Sequence, residues 1–447
     1  LPKNDLLTAT QHIPTDQIPA RAPGGSSRLR SHVTLALCTV LHAFTHVYGT
    51  LLVPLYLLIT ADLRLGGVGA ATMIVTLYGV VYNLASYHAG MLADRHDRKA
   101  LLGVGLLGNA LVIVLIGLSR DYQMILALAI LGGLFGALFH PTANALVMAH
   151  YPKNPGMAIG LLGAGSGLGF FAGPQFAGWR AQSATWHLWH VASWQRPCIE
   201  AGVAGLVLGV IFLWVAREAR PSFGPDRTPP KMTRAHRNQI LRLACVLGFR
   251  DFSGTAMISL GAIYLQKALG KSVQDAGQIV GFMMLLGMIG NPLAVYLSPG
   301  RRRLPALVVI LITAGVVIAT APLWPARWVL VVFCAFQTLQ LGSYAVSDAA
   351  ILERTSPLLR GRVVGLFLMV AGTFAGISPW VMGFWTDQLG ARAAHPSAYF
   401  GPFGLIGVMI ALAAFGPKMI ASLGWAEDAT PINPLAEISP QTLETGG

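Results

Sequence analysis

Apolar residues run in long stretches from about Val33 to about Leu423, broken by short polar turns. Each stretch is long enough to cross a hydrocarbon core of about 30 Å as a helix. Twelve spans are predicted, at 33–60, 68–92, 99–118, 122–149, 156–181, 198–216, 240–267, 273–297, 304–322, 328–353, 361–386 and 399–422. Lipid offers no partner for an unpaired backbone group, so every span must be helical. One long polar segment, Arg217 to Asn238 with Pro221, Pro225, Pro229 and Pro230, interrupts the series and divides it six and six. The predicted organisation is an N-terminal tail (1–32), a six-helix bundle (33–216), a central loop (217–239), a second six-helix bundle (240–423) and a C-terminal tail (424–447). The first tail carries Pro2, Pro14, Pro19 and Pro23 and lacks the apolar core and cleavage site of a signal peptide.

Composition agrees. Of 447 residues, 54% are hydrophobic and 11% charged, against about 25% charged in a soluble domain. The net charge of +13 would suggest nucleic acid in a soluble protein, but no basic helix interleaved with aromatics is present, and none is expected as a partner. The charge distributes by side instead. Of 31 Lys and Arg, 22 fall on the side that twelve spans assign to both termini, 8 fall opposite, and Arg250 lies within a span. Basic residues collect in cytoplasmic loops, so both termini are predicted to be cytoplasmic. Cys38, Cys198, Cys245 and Cys334 lie in or beside apolar stretches without CxxC spacing and read as packing residues.

The halves look like copies displaced by about 205 residues. Gly156, Gly160, Leu161, Gly167, Pro174 and Gly178 fall on Gly361, Gly365, Leu366, Gly372, Pro379 and Gly383, and Pro152 falls on Pro357. The basic turn Gly90–Lys99 falls on Val295–Leu304. Parallel six-helix repeats around a midplane site are a transporter architecture.

The run Gly90-Met-Leu-Ala-Asp-Arg-His-Asp-Arg-Lys99 resembles the loop 2–3 signature of the major facilitator superfamily, roughly G-x-L-A-D-R-x-G-R-K. Asp97 stands where that family usually has glycine. Span 5 carries Gly169-x-x-x-Gly173-Pro174-x-x-x-Gly178, similar to the superfamily's antiporter signature, whose last glycine usually comes one residue earlier. Ala137-Leu-Phe-His-Pro141, His42-x-x-x-His46 and Arg250 followed by Ile263-Tyr-Leu265 resemble the fosmidomycin-resistance branch. The resemblance implies an all-α membrane protein of twelve transmembrane helices in two pseudo-symmetric six-helix bundles. It also implies a gate in which Asp94, with Gly90, Arg95 and Arg98, latches against the start of span 11 near Gly361 and Arg362. Loss of that latch would favour an inward-open state. An acid gains about 0.3–1 kcal/mol at a helix N-terminus.

The small residues Gly165, Gly167, Gly169, Gly173 and Gly178 line span 5 and permit close helix approach, while Pro174 favours a bend. They are expected to form a rocking interface between the halves, with static packing as the plainer alternative. Ionisable residues inside a membrane are costly and become site candidates. These are His42 and His46, which share a helical face, His140, Arg250, Asp251 and Asp348. Histidine titrates nearest neutrality and suits a proton carrier; a buried histidine also serves simply as a hydrogen-bonding group. Arg250 and Asp251 point about 100° apart and are expected to address different partners, with Arg250 facing an anionic substrate group. Tyr78, Tyr82, Asn83, Gln337, Gln340 and Tyr344 are expected to line a cavity or to bond between helices.

The expected function is proton-coupled secondary transport by alternating access, exporting a small amphipathic or anionic compound. The alternatives are import of an organic anion or sugar-like solute, metal transport, which the histidine pair and Met284 with Met288 allow, and a receptor without flux. The expected partners are a small-molecule substrate, protons and the bilayer, with the chain a monomer in a bacterial inner membrane. No catalytic constellation, phosphate loop, cofactor or resident metal is expected, and so no enzyme activity.

Overall fold

The computed structural model describes residues 25–183, 191–218, 232–356 and 359–423. The N-terminal tail before residue 25, most of the central loop, the C-terminal tail after residue 423 and Pro357 of the repeat lie outside the described residues. All regular structure among them is helical, and twelve helices are long and apolar enough to cross a membrane. Spans 1–6 are Leu29–Asp62, Val68–Arg95, Arg98–Leu118, Tyr122–His150, Pro155–Gln182 and Gln195–Val215. Spans 7–12 are Arg234–Lys267, Val273–Leu297, Gly300–Ala319, Ala326–Glu353, Arg360–Ala394 and Pro396–Ala421. The first helix begins at Gly25, earlier than residue 33, where the apolar run starts. Backbone bonding continues into polar sequence because a helix, once nucleated, adds one bond per residue fixed.

Helix pairing repeats between the halves. Span 1 packs on span 5 as span 7 packs on span 11; 3 on 6 as 9 on 12; and 2 on 4 as 8 on 10. The halves meet through two equivalent seams, span 5 on span 8 and span 11 on span 2. This is the contact pattern of a duplicated unit related by a two-fold axis. Large apolar side chains such as Val104 and Leu111 on span 3 and Val309 and Val316 on span 9 are exposed. Lipid-facing helices require such residues, whereas a water-soluble surface of this kind would aggregate.

Prolines shape the spans locally. Pro174 and Pro379, at equivalent positions, sit inside spans 5 and 11. At Pro379 the bend leaves the following N–H to find a partner elsewhere: Trp380 donates to Thr76 Oγ1 of span 2 at 3.0 Å. Span 4 breaks at Leu138, directly before Phe139-His140-Pro141.

One end of the bundle is closed. Asp387, at the end of span 11, accepts from the N–H groups of Val68 and Gly69, at the start of span 2, both at 2.8 Å. Gln182, at the end of span 5, accepts from Gln274 N–H, at the start of span 8, at 3.2 Å. Positions 182 and 387 differ by 205, as do 69 and 274, so the clamp itself is duplicated. Tyr56 of span 1 bonds Ser259 of span 7 at 3.2 Å nearby. Gln266 of span 7 also donates to the Pro54 carbonyl at 3.0 Å on this side of the bundle. Towards the other end the seams run as far as Gly167 against Met288 and Gly365 against Tyr87. Beyond them, nothing lies within 4 Å of the space a Cβ would take at Gly156, Gly160, Gly163 or Gly361.

Two expectations change here. The Asp94 latch is not made in this conformation. Asp94 is exposed and bonds no described residue, because the halves are parted at its end. The glycines of span 5 do not form one inter-half stripe. Gly165, Gly169 and Gly173 lie against the backbone or Thr50 of span 1 in their own half, whereas Gly167 and Gly178 face span 8. Successive small residues point around the helix, so one row serves static packing and another the seam. Gly173 is therefore a packing position, while the Pro174 carbonyl lies beneath Gly277 of span 8.

Candidate functional site

Between the halves lies a cavity of about 210 Å³, lined by residues of spans 1, 2, 4, 7 and 11. Its N-terminal wall carries the chemistry: His46, Tyr78, Tyr82, Asn83 and His140. Its C-terminal wall is small and weakly polar: Thr255, Ala375, Gly376 and Pro379. No acidic residue lines it.

Three histidines converge on the N-terminal wall. His42 and His46 are one turn apart on span 1, and the break before Pro141 turns His140 towards them. A ligating nitrogen from each lies within 4.8 Å of the others. His42 Nδ1 is 2.7 Å from the carbonyl of Leu162 on span 5. A carbonyl only accepts, so this nitrogen carries the proton, and neutral His42 presents a lone pair at Nε2. His46 Nε2 lies 3.1 Å from that lone pair and therefore donates to it. The rings are enclosed by Phe139, 5.0 Å from His42 between centroids, and Phe170, 4.2 Å from His46. Tyr82 meets His140 edge-on at 6.1 Å, and Tyr78 exchanges a hydrogen bond with Asn109 at 3.1 Å. The arrangement is a bonded imidazole pair, anchored at Leu162, with a third imidazole beside it, and it reaches the cavity through His46 and His140.

The C-terminal half builds something different. Arg250 is fully buried. Its Nε donates to Asp251 at 2.8 Å, its Nη1 donates to Ser347 at 2.7 Å, and its guanidinium lies 3.6 Å above the Tyr344 ring. A polar ladder continues along span 10, from Gln337 to Gln340 at 3.4 Å and from Gln340 to Tyr344 at 3.2 Å. Asp348 is exposed and accepts from Ser347 at 3.3 Å. Two expectations are corrected. Arg250 and Asp251 address each other, because the long arginine side chain curls back across the 100° that separates neighbours. Arg250 faces no open cavity in this conformation, and only its Nη2 lacks a partner. Gln337, Gln340 and Tyr344 lie within this ladder, away from the cavity wall that Tyr78, Tyr82 and Asn83 share.

At the open end Arg98 donates to the carbonyl of Ala145 on span 4 at 3.3 Å. Its repeat equivalent Arg303 pairs with Glu353 on span 10. Asp97 accepts from Ala100 N–H at 2.7 Å as the N-cap of span 3, which explains an acid where glycine is usual. The Asp387 and Gln182 clamps were not anticipated from sequence. The offset of 205 applied to the span ends was the signal available.

Comparison with known proteins places this geometry. A 133-residue segment is 34% identical to the Tetracenomycin C resistance and export protein of Streptomyces glaucescens, covering 30% of this chain and 24% of that one. A 102-residue segment is 41% identical to the Multidrug resistance protein MdtG of Escherichia coli, covering 23% and 25%. The matched segments thus span about a quarter of these relatives' length. The fold is similar to that of a bacterial homologue of the human lysosomal transporter Spinster in an inward-facing, unoccupied conformation. The TM-score is 0.73 at 18% identity, over 89% of this chain and 99% of the other. It is also similar to the nucleoside transporter NupG, with a TM-score of 0.68 at 11% identity over 87% and 99%. The Major Facilitator Superfamily profile matches residues 35–342, well over half of the chain, and with twelve spans in two equivalent halves around a cavity the chain belongs to that superfamily.

Proposed function

We propose that this protein is a proton-coupled exporter of a small amphipathic or anionic compound, with both termini cytoplasmic in a bacterial inner membrane. The observation that carries the reading is the histidine trio, of which His46 and His140 stand on the wall of the inter-half cavity and His42 bonds His46 behind it. It places imidazoles, which can take up and release a proton, beside the space a solute would fill. The names of the two relatives support export, as does the glycine–proline pattern of span 5. The cavity's aromatic and aliphatic lining suits a molecule with an apolar body.

The open end carries the basic turns 95–99 and 301–303 and is the cytoplasmic one by charge. In this state the trio releases its proton inwards and solute enters from the cytoplasm. The halves then rock, parting the Asp387 and Gln182 clamps and bringing Asp94, Arg95 and Arg98 onto the start of span 11 at Gly361 and Arg362. Solute leaves outwards, a proton binds, and the cycle reverses. One proton crossing about 100 mV supplies about 2.3 kcal/mol, or roughly a 50-fold solute gradient at one-to-one exchange.

The test is flux in proteoliposomes over a panel of amphipathic compounds, with and without an imposed pH gradient. Uptake into vesicles acidified inside, abolished by a protonophore, supports the reading. Binding without flux for every compound contradicts it.

A further inference from the structure

The same three histidines have the makings of a coordination site. We propose that His42, His46 and His140 bind one divalent transition-metal ion of borderline softness, such as Zn²⁺, Co²⁺ or Ni²⁺, with a remaining coordination position open to the cavity. A tetrahedral ion with metal–nitrogen bonds of about 2.0–2.1 Å holds its nitrogens roughly 3.3–3.4 Å apart. His42 Nε2 and His46 Nε2 are 3.1 Å apart, and the third ligand atom lies within 4.8 Å. A side-chain rotation of His140 that moves its nitrogen by about 1.5 Å completes three ligands.

The surroundings fit. His42 donates its remaining N–H to the Leu162 carbonyl at 2.7 Å. Such an outer partner fixes the ring and its tautomer, leaving the lone pair of Nε2 for the ion. The bond from His46 into His42 occupies the same two nitrogens. On binding, the His46 proton moves to Nδ1, both Nε2 lone pairs turn to the metal, and no proton need leave the protein. Three neutral imidazoles without an acidic neighbour on the cavity wall favour borderline ions over hard ones such as Mg²⁺ and Ca²⁺, which demand oxygen ligands. His46 and His140 are both on the cavity wall, so the open position faces the same space as the solute. This inference goes beyond the transport reading, because it requires binding and no flux.

The experiment is a Co²⁺ titration of the purified full chain in detergent, without a polyhistidine tag, followed by visible absorption. One saturable equivalent is expected, with the ligand-field bands of a four- or five-coordinate nitrogen site, displaced by Zn²⁺ and untouched by Mg²⁺. His46→Ala and His140→Ala should each weaken binding more than about ten-fold. Alanine at the exposed His88 should leave it unchanged. His140→Cys should restore binding and add a sulfur-to-cobalt charge-transfer band, which a merely structural role for residue 140 would not produce. Wild type binding no more Co²⁺ than a chain lacking all three histidines would overturn the proposal. So would a cysteine variant without the sulfur band, or loss of binding on His88→Ala equal to that of the trio.

Discussion

The N-terminal half sets two of its three clustered histidines on a cavity wall that holds no acidic residue, whereas the C-terminal half buries its arginine against an aspartate and a tyrosine ring. The two halves share helix pairing, proline positions, end clamps and basic turns at one offset, yet not this chemistry. Scaffold and chemistry therefore answer to different constraints. Helix pairing must stay equivalent if two seams are to open and close as one. The groups inside each half are free to diverge, one towards exchange with the cavity and the other towards a fixed internal ion pair.

That contrast breaks most readily at Arg250. Its replacement by alanine strands Asp251, and losing one partner of a buried pair costs about 3–5 kcal/mol. Thermal unfolding in detergent should show a large loss, while Arg250→Met combined with Asp251→Leu regains most of it. If Arg250→Ala unfolds like wild type, the C-terminal half is not built on this pair.

A smaller effect is expected at the closed end. Asp387→Ala removes the acceptor for two N–H groups that only meet it when that end is shut. Loss of such a cap costs about 0.5–2 kcal/mol, which moves the conformational equilibrium by about two-fold to about 30-fold. Spin-label distances across the ends of spans 2 and 11 should shift towards the state open at the clamp. Gln182→Ala should move the same equilibrium less, since a neutral acceptor holding one N–H at 3.2 Å is weaker than a charged one. Equal effects, or none, would separate the clamps from the gate.

Smallest is Asp97→Gly, which restores the residue usual in the superfamily. It should cost only a few tenths of a kcal/mol by thermal unfolding and leave transport intact. A loss of transport would mean that Asp97 has a gating part beyond capping span 3.

Membrane spans and duplication were readable in the sequence because lipid imposes both length and backbone satisfaction on every crossing segment. The candidate site was only half readable. The spacing of His42 and His46 announced a shared face, but nothing local placed His140 beside them; a break in span 4 does that. The Arg250–Asp251 pair was misjudged because helical direction fixes where a side chain starts, not how far a guanidinium reaches back. The clamp at Asp387 has no local sequence signal, because its partners, Val68 and Gly69, lie more than 300 residues away. Spacing alone does not say which neighbouring helix each span 5 glycine meets, so one row in sequence divides between span 1 and span 8 in the fold.

The central claim is that the uncompensated histidines of the N-terminal half couple protons to solute. Its most direct test is pH-gradient-driven flux by wild type and His46→Ala in matched proteoliposomes, alongside solute exchange without a gradient. Coupling through the trio predicts that His46→Ala loses gradient-driven accumulation while exchange continues. Full accumulation by the variant, with the same dependence on the imposed gradient, would contradict it.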